Sequence, residues 1–196
     1  LVVEYRQPLD LTSAPSLVID QVVQGYRALS GWPHGGDRGP FGNSGQCNIN
    51  VNCPEGATWA TEKRSVALIV NGGFAQCSGA LVNNTLNDGT PYFLTANHCL
   101  GNPGTWVYYF NHEAANCTGS TGPTNQSISG GSLLVSSGQS DFALIELSQT
   151  PPANFNVQYA GWDATGAVPA SAVGIHHPSG DVKKICFEDD SPSQQQ

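Results

Sequence analysis

Apolar residues occur along this chain in short runs that alternate with polar turns, and this pattern predicts strands rather than long helices. Six such runs follow residue 60 and cover residues 65–70, 77–82, 92–99, 105–110, 131–135 and 142–147. The 23 glycines and 13 prolines favour many tight turns between these strands. Six short strands suit a small closed barrel. The sequence therefore predicts an all-β chain, with the aromatic run at residues 106–110 in the barrel core.

Composition divides the chain into three predicted parts. Residues 1–41 carry scattered apolar clusters and then a stretch rich in glycine and proline, which is typical of the tail of a pro-segment and its cleavable linker. Processing is expected near Phe41-Gly42. Residues 42–152 hold the six predicted strands and form the first barrel. Residues 153–196 are predicted to be an interdomain segment and the start of a truncated second barrel, whose strand at residues 172–177 would lack its neighbours.

Charge and cysteine content limit the partners and the cellular compartment that are expected for the protein. A formal net charge of -8, without a basic patch, disfavours nucleic acid as a partner. No run of 18 apolar residues is present, so no membrane span is predicted. Six cysteines in a chain with 11% charged residues favour an oxidising compartment, and we expect a secreted, extracellular protein. Because the chain has no methionine and starts at Leu1, we expect a processed or truncated piece.

Two residues carry the chemistry of a serine hydrolase. His98 stands at the end of a predicted strand beside Cys99, and Asp141 stands at the start of an apolar run. A serine hydroxyl needs an imidazole to accept its proton and a carboxylate to orient that imidazole. The order of histidine, then aspartate 43 residues later, matches the chymotrypsin-like order in which the serine comes last. No serine in a convincing context follows Asp141 up to Gln196, so the nucleophile is expected to be missing.

Several stretches together resemble the bacterial lysyl endopeptidases. They are residues 47–56, 77–79, 95–99, 140–142 and 174–184, the last of which looks like the beginning of that family's second barrel. Residues 3–27 look like the pro-region of such a protein. The resemblance implies a chymotrypsin-like double β-barrel, of which the first barrel and the start of the second are present. It also implies a serine endopeptidase that hydrolyses peptide bonds through an acyl-enzyme, with a trypsin-like or lysyl endopeptidase-like character.

The resemblance further implies roles for individual residues. His98 is the expected general base and Asp141 the residue that orients it. The nucleophilic serine, most oxyanion-hole donors and the pocket that selects lysine are expected beyond Gln196, so the chain alone should be inert. The complete protein is expected to be a monomer that acts on proteins or peptides without a cofactor.

The family's pattern also implies how the cysteines pair. Two disulfides are expected, Cys77 with Cys99 and Cys53 with Cys117. Cys47 would join a cysteine in the missing half. Cys186 matches no cysteine of the pattern, so it is expected to be either free or a substitute partner for Cys47.

Structural alternatives remain beside the catalytic ones. Ser44, in Gly-Asn-Ser-Gly, superficially resembles a protease nucleophile, but it precedes His98 in the sequence. Ser179 lies in Pro-Ser-Gly-Asp, a composition that favours a turn. His98 could instead cap a disulfide-linked turn, and Asp141 could simply accept backbone amides. A function of a different class also stays open, namely a protease-derived binding module without catalysis.

The remaining histidines and three asparagines offer weaker signals. His176 and His177 could bind zinc together with His112 or His34, because imidazoles are good zinc ligands. Adjacent side chains on a strand point to opposite faces, which disfavours that site. The triplets at residues 83–85, 116–118 and 125–127 match the acceptor pattern for N-linked glycans, which is common by chance and matters only in a host that glycosylates.

Overall fold

The computed structural model describes residues 44–45 and 47–192. The predicted pro-segment over residues 1–41 and the predicted processing point at Phe41-Gly42 lie outside the described residues. Within the described part, helical structure consists of short 3-10 turns: Pro54–Trp59, Glu62–Ser65, Asn97–Cys99, Pro103–Thr105, Ala153–Phe155 and Pro178–Gly180. None of these turns has the length and apolar character that a membrane crossing requires.

Strands dominate the regular secondary structure of the described residues and pair antiparallel in two sheets. Their bounds are β1 Ile49–Asn50, β2 Val66–Asn71, β3 Phe74–Val82, β4 Tyr92–Thr95, β5 Val107–Phe110, β6 Ser127–Ser129, β7 Gly131–Ser137, β8 Phe142–Leu147, β9 Ala172–His176 and β10 Lys184–Glu188. Each of the six apolar runs predicted from the sequence overlaps one of these strands, namely β2, β3, β4, β5, β7 or β8. The predicted all-β class is therefore confirmed.

The larger sheet has seven strands in the order β6-β5-β2-β3-β4-β8-β7. Its two edge strands, β6 and β7, are consecutive in the chain and are separated by a single residue, Gly130. Gly130 has a φ of +82°, a conformation that glycine adopts without strain. The chain thus leaves one edge of the sheet and enters the other, so the sheet curls as a chymotrypsin-like first barrel does.

The inner face of the curled sheet is apolar and tightly packed. Along β8, Ala143, Ile145 and Leu147 are buried while the residues between them are partly exposed, which is the alternation expected of a half-buried strand. Of the four aromatic residues predicted in the core, Trp106, Tyr108 and Phe110 are fully buried, whereas Tyr109 is half-buried. Ring centroids of Phe93 and Tyr108 lie 5.0 Å apart in an edge-on arrangement.

Gly79 on β3 allows this packing. A side chain there would place its Cβ 2.6 Å from the carbonyl oxygen of Leu94 and even closer to the ring of Phe93. No real Cβ tolerates such distances, so the strand pair β3–β4 requires glycine at this position. The requirement explains the glycine in the Cys-Ser-Gly stretch that leads towards His98.

The smaller sheet has three strands in the order β1-β10-β9. β9 pairs with β10 over its whole length, so the strand predicted at residues 172–177 does not lack a neighbour, and that expectation is wrong. β10 in turn pairs with β1, with Ile49 opposite Ile185. Two residues near the start of the described chain therefore complete a sheet formed near its end.

Candidate active site

His98 and Asp141 meet because the strands next to them are neighbours in the sheet. His98 lies in the 3-10 turn Asn97–Cys99, shortly after β4, and Asp141 directly precedes β8. The two strands pair antiparallel, with Thr95 opposite Ala143, so the end of β4 lies beside the start of β8. This pairing brings together two residues that are 43 positions apart in the sequence.

The carboxylate of Asp141 holds His98 through two hydrogen bonds. Its Oδ1 accepts the backbone N–H of His98 at 2.9 Å, and its Oδ2 lies 2.7 Å from Nδ1 of the imidazole. An ionised carboxylate only accepts hydrogen bonds, so Nδ1 carries the proton and Nε2 keeps its lone pair. These contacts hold the pKa of Asp141 below its ordinary value, the backbone hydrogen bond contributing most. The pair can take up a proton at Nε2 and stabilise the resulting cation.

The backbone at Asp141 is unusual. Its φ is +47°, in the left-handed region that aspartate and asparagine enter more readily than most other side chains. Uncommon backbone conformations of this kind are concentrated at functional sites. Asp141 thus combines an oriented carboxylate with a conformation that few other residues would accept.

The pair is open to solvent in this chain. The side chains of His98 and Asp141 are 70% and 51% exposed. A cleft of about 350 Å³ adjoins the imidazole, and its lining includes the Cys77–Cys99 bridge and Asn71. Among the described residues none forms a hydrogen bond with Nε2 of His98. The nitrogen that would accept a proton is therefore accessible from the cleft.

The described residues form two disulfides, and one of them lies beside this pair. Cys77 on β3 is bonded to Cys99, the residue after His98, with Cα atoms 6.2 Å apart. The second bridge joins Cys53 to Cys117, with Cα atoms 4.4 Å apart. These are the two pairings that the resemblance implies. The bridge at Cys99 ties the turn that carries His98 to the neighbouring strand.

The other two cysteines are unbonded and exposed. The sequence left Cys186 as either free or the partner of Cys47, and here both thiols are free. Sγ of Cys186 lies 3.5 Å from the carbonyl oxygen of Gly174, its partner on β9. The side chain of Cys186 therefore leans over β9.

The two alternative serines have structural contacts. Ser44 donates its hydroxyl to Oδ2 of Asp181 at 2.7 Å and its backbone N–H to the same oxygen at 3.0 Å. Ser179 lies within the turn Pro178–Gly180 and has a φ of +53°. Both observations agree with the structural roles that the sequence favours for these residues.

Two of the candidate zinc ligands lie side by side but are bonded to carbonyl groups. Nδ1 of His177 lies 2.9 Å from the carbonyl oxygen of Asp181, and Nδ1 of His112 lies 3.1 Å from that of Pro123. A carbonyl oxygen can only accept, so Nδ1 carries the proton in both rings. The rings are stacked with centroids 6.1 Å apart. His34, the fourth candidate, lies outside the described residues.

His176 does not share the buried environment of His177. It is half-buried on β9, whereas His177 is buried. In the described part of the chain, the metal-binding side chains that converge are Cys77, His98 and Cys99. The two cysteines are joined in a disulfide, so they offer no thiolate to a metal ion.

Comparison with known proteins decides the family. The family model described as "Lysyl endopeptidase, C-terminal domain" matches residues 41–196. The chain belongs to the lysyl endopeptidase family. A curated lysyl endopeptidase from Pseudomonas aeruginosa is 33% identical over 167 residues, and the match covers 76% of this chain but 35% of that relative. Among solved structures, the "atomic resolution structure of HBP" is similar with a TM-score of 0.45 and 17% identity, over 65% of this chain and 60% of that one.

A network around Asp181, which the sequence pattern does not reveal, joins the two ends of the described part of the chain. Asp181 is buried. Its Oδ2 accepts two hydrogen bonds from Ser44, and its Oδ1 accepts one from the backbone N–H of Val182. Nζ of Lys184 lies 3.4 Å from Oδ2 and 2.6 Å from the side-chain oxygen of Asn50. Burial raises the pKa of Asp181, but these hydrogen bonds outweigh burial and lower it. Asp181 therefore anchors the amino-terminal segment beside the smaller sheet.

Lys183 is the second feature that sequence reasoning misses. Its side chain is fully buried, donates from Nζ to the carbonyl oxygen of Lys63 at 2.7 Å, and lies 3.7 Å from Oε2 of Glu113. Burial disfavours the charged ammonium and lowers the pKa of Lys183 to about 8, although Glu113 acts in the opposite direction. A Lys-Lys pair usually indicates an exposed segment, so the sequence carries no signal of this burial.

The stability of the chain is expected to rise with pH above about 8. From there up to the ordinary lysine value of 10.5, the folded chain has released the Lys183 proton while the unfolded chain still holds it. The unfolded state then binds more protons, so the free energy of unfolding increases, by about 2 kcal/mol between pH 8 and 9.5. Urea unfolding across this range measures the slope. Lys183→Met should flatten it, and an equal slope in that variant would contradict the assignment.

Proposed function

We propose that this chain supplies the general base and the orienting carboxylate of a secreted serine endopeptidase. In this mechanism Nε2 of His98 takes the proton of a serine hydroxyl as that oxygen attacks a peptide carbonyl. Asp141 stabilises the imidazolium that forms, and His98 then returns the proton to the leaving amine. A protein or peptide is the substrate, and no cofactor takes part. The hydrogen bonds that Asp141 accepts from both the backbone N–H and the ring Nδ1–H of His98 are the observation that carries the proposal.

The proposal places the nucleophile outside these 196 residues. Nε2 of His98 has no hydrogen-bond partner in the described residues, and Ser44 is committed to Asp181. The chain spans 35% of the length of the relative from Pseudomonas aeruginosa, whose name is lysyl endopeptidase. We therefore propose that the complete protein resembles that relative in activity, with a trypsin-like or lysyl endopeptidase-like preference. The isolated chain would then be catalytically inert.

The solvent exposure of His98 and Asp141 supports the proposal that the rest of the catalytic site lies in another part of the complete protein. Catalytic electrostatics are strong where water is excluded, and water screens the attraction between an imidazolium and a carboxylate that are both in contact with solvent. His98 and Asp141 are more than half exposed here. A second barrel, contributed by the rest of the protein, would cover the pair and complete the cleft. We propose the corresponding organisation, with a pro-segment over residues 1–41, a first barrel over 42–152 and the start of a second barrel over 153–196.

The family match and the cysteines support the remaining parts of the proposal. The lysyl endopeptidase model begins at residue 41, next to the proposed processing point at Phe41-Gly42. Two disulfides in the described residues agree with an oxidising, extracellular location. We propose a precursor that is processed at this point, secreted, and monomeric when complete.

A serine-directed phosphonate probe tests the proposal. The chain of 196 residues should remain unlabelled, whereas the complete protein should be labelled at one serine that follows Asp141 in the sequence. Loss of that labelling after His98→Ala would tie the nucleophile to this base. Stoichiometric labelling of the chain alone would contradict the proposal, and failure to label the complete protein would overturn it.

A binding module without catalysis is the second candidate function. The observation that favours it is the amount of structure formed by this chain alone, including the smaller sheet in which β1 joins β10. A module that acts by itself should be a soluble monomer that unfolds cooperatively. The outer face of the larger sheet argues against this behaviour, because Leu94, Leu134 and Val135 are each more than 40% exposed.

Self-association of the isolated chain is therefore expected, and polar substitutions on this outer face should reduce it. Leu94 and Val135 both lie opposite Leu144 across neighbouring strands, so the three form an apolar row. Exposed apolar rows on a sheet invite association. Leu94→Gln with Val135→Thr should shift the chain towards monomer in analytical ultracentrifugation, whereas Val168→Thr, at another exposed apolar position, should not. A fully monomeric unmodified chain would instead favour the binding module.

A further inference from the structure

A polar pocket lies on the larger sheet, formed by elements that the catalytic proposal does not use. It is formed between the loop that follows β3 and the segment at residues 157–160. Main-chain hydrogen bonds hold the two together: the N–H of Asn83 donates to the carbonyl of Ala160 at 3.0 Å, and the N–H of Ala160 donates to that of Leu81 at 2.8 Å. The phenol of Tyr159 adds a third link, to the carbonyl of Gly89 at 3.1 Å.

The loop on one side of the pocket is organised by its own side chains. Asp88 accepts hydrogen bonds from the side chain of Asn84 at 2.8 Å and from the backbone and hydroxyl of Thr90 at 2.9 and 2.6 Å. These bonds lower the pKa of Asp88, so its carboxylate stays ionised and bonded within the loop. The side chain of Asn83 donates to that of Asn87 at 3.1 Å. The pocket is thus preorganised rather than a gap between loose segments.

The lining of this pocket is uncharged and rich in amides. Amide or hydroxyl side chains of six residues contribute, together with Val157 and Gly89: Asn83, Asn84, Asn87, Thr90, Gln158 and Tyr159. Side-chain Oδ1 of Asn83, Nδ2 of Asn87 and Oε1 of Gln158 have no partner within the described part of the chain. They offer both donors and acceptors to a ligand. No charged side chain lines the pocket, and the carboxylate of Asp88 in the same loop is already bonded to Asn84 and Thr90.

An exposed aromatic ring stands beside the pocket. Trp162 is 58% exposed, and its indole N–H donates to the carbonyl oxygen of Asn83, one of the lining residues, at 3.1 Å. This bond fixes the polar edge of the indole and leaves much of the ring in contact with water. A large apolar ring held in this way offers a platform for the apolar face of a ligand.

We propose that this pocket binds one unit of a neutral saccharide. Neutral sugars present hydroxyl groups that donate and accept hydrogen bonds, which suits the amides of Asn83, Asn87 and Gln158, and they present C–H faces that suit the ring of Trp162. The pocket volume of about 220 Å³ is below the ~300–1,000 Å³ typical of sites for drug-sized ligands, so it would hold a single sugar ring. This inference does not depend on the proposed peptidase function.

A peptide fits the same surface less well. Peptides that bind to sheets add a strand along an exposed edge or insert apolar anchors into a groove. Val82, which ends the strand leading to this pocket, is already bridged to Ala160. Most side chains lining the pocket are amides or hydroxyls, and one, Val157, is aliphatic. A saccharide is therefore the occupant that the lining favours.

Affinity electrophoresis and tryptophan fluorescence test the proposal. The chain would be produced in a host without N-glycosylation, because a glycan on Asn83 would cover the pocket. Native gels containing a soluble glucan, mannan or galactan, and fluorescence titrations with gluco-, manno-, galacto- and chito-oligosaccharides, should reveal retardation by at least one polysaccharide and saturable binding. Trp162→Ala and Gln158→Ala should each weaken this binding by about tenfold or more. Phe187→Leu, at an exposed aromatic position on β10, should leave it unchanged.

Further measurements separate the remaining outcomes. A glycoprotein carrying neutral glycans, compared before and after enzymatic deglycosylation, distinguishes a protein-attached sugar from a free polysaccharide. Circular dichroism of each variant shows whether the fold is kept. Absence of binding to every saccharide would overturn the proposal. Binding by Trp162→Ala and Gln158→Ala that equals the binding of the unmodified chain would also overturn it. Saturable binding of an unglycosylated casein peptide in place of the sugars would overturn it in favour of a peptide site.

Discussion

Asp141→Asn in the complete protein is expected to reduce kcat by about 10⁴-fold with little change in KM. The carboxylate now accepts the backbone N–H and the ring Nδ1–H of His98, at 2.9 and 2.7 Å. An asparagine amide can present its N–H₂ group to Nδ1, which then has to accept, so the proton moves to Nε2 and the base is lost. The same substitution removes the negative charge that stabilises the imidazolium. A loss of this size corresponds to about 5.5 kcal/mol of transition-state stabilisation.

Asp163→Asn provides a matched control for this prediction. Asp163 is also an exposed aspartate whose carboxylate is hydrogen-bonded, in its case to the backbone and side chain of Thr165, and its pKa is likewise lowered. Steady-state kinetics on a peptide substrate should show unchanged kcat for this variant. Near-wild-type activity of the Asp141 variant would assign that residue a structural role at the start of β8. A large loss in both variants would point to a general effect of charge.

Much of the barrel and the placement of His98 and Asp141 could be predicted from local sequence. Each of the six strands is long enough for its apolar residues to alternate or to run together, as in β8, so its existence and its inner face follow from pattern alone. His98 follows one such strand and Asp141 precedes another. Once the two strands are known to be antiparallel neighbours, their pairing fixes the meeting of the two residues.

The smaller sheet could not be predicted in the same way. β1 has two residues, too few to show any period, and its partner β10 lies more than 130 positions further along the chain. The buried polar groups beside the smaller sheet form no sequence pattern that would predict their burial. Lys183 and Asp181 are tolerated inside because Lys63, Glu113 and Ser44 reach them from distant parts of the sequence. Burial of charge depends on partners that only the folded chain brings together.

Removing either disulfide is expected to destabilise the chain. The two removals should differ in the free energy lost and in their effect on the turn that carries His98. Cys53 and Cys117 are 64 positions apart, and Cys77 and Cys99 are 22 apart. Closing the longer loop restricts the unfolded chain more, so double replacement by alanine should cost about 4 kcal/mol at the first bridge and about 3 kcal/mol at the second. Chemical denaturation of the oxidised proteins measures both values.

Removal of the Cys77–Cys99 bridge should cost less stability but should disturb His98 and Asp141 more. The Cys77–Cys99 bridge anchors the turn that carries His98, whereas the Cys53–Cys117 bridge is not part of that turn. NMR signals of the His98 backbone amide and ring should therefore shift or broaden in the Cys77→Ala, Cys99→Ala protein and stay in place in the other. Unchanged His98 signals in both proteins would show that the pairing of β4 with β8 positions the base without help. In that case the bridge would contribute to stability alone, and the contacts with Asp141 would be sufficient to hold the imidazole.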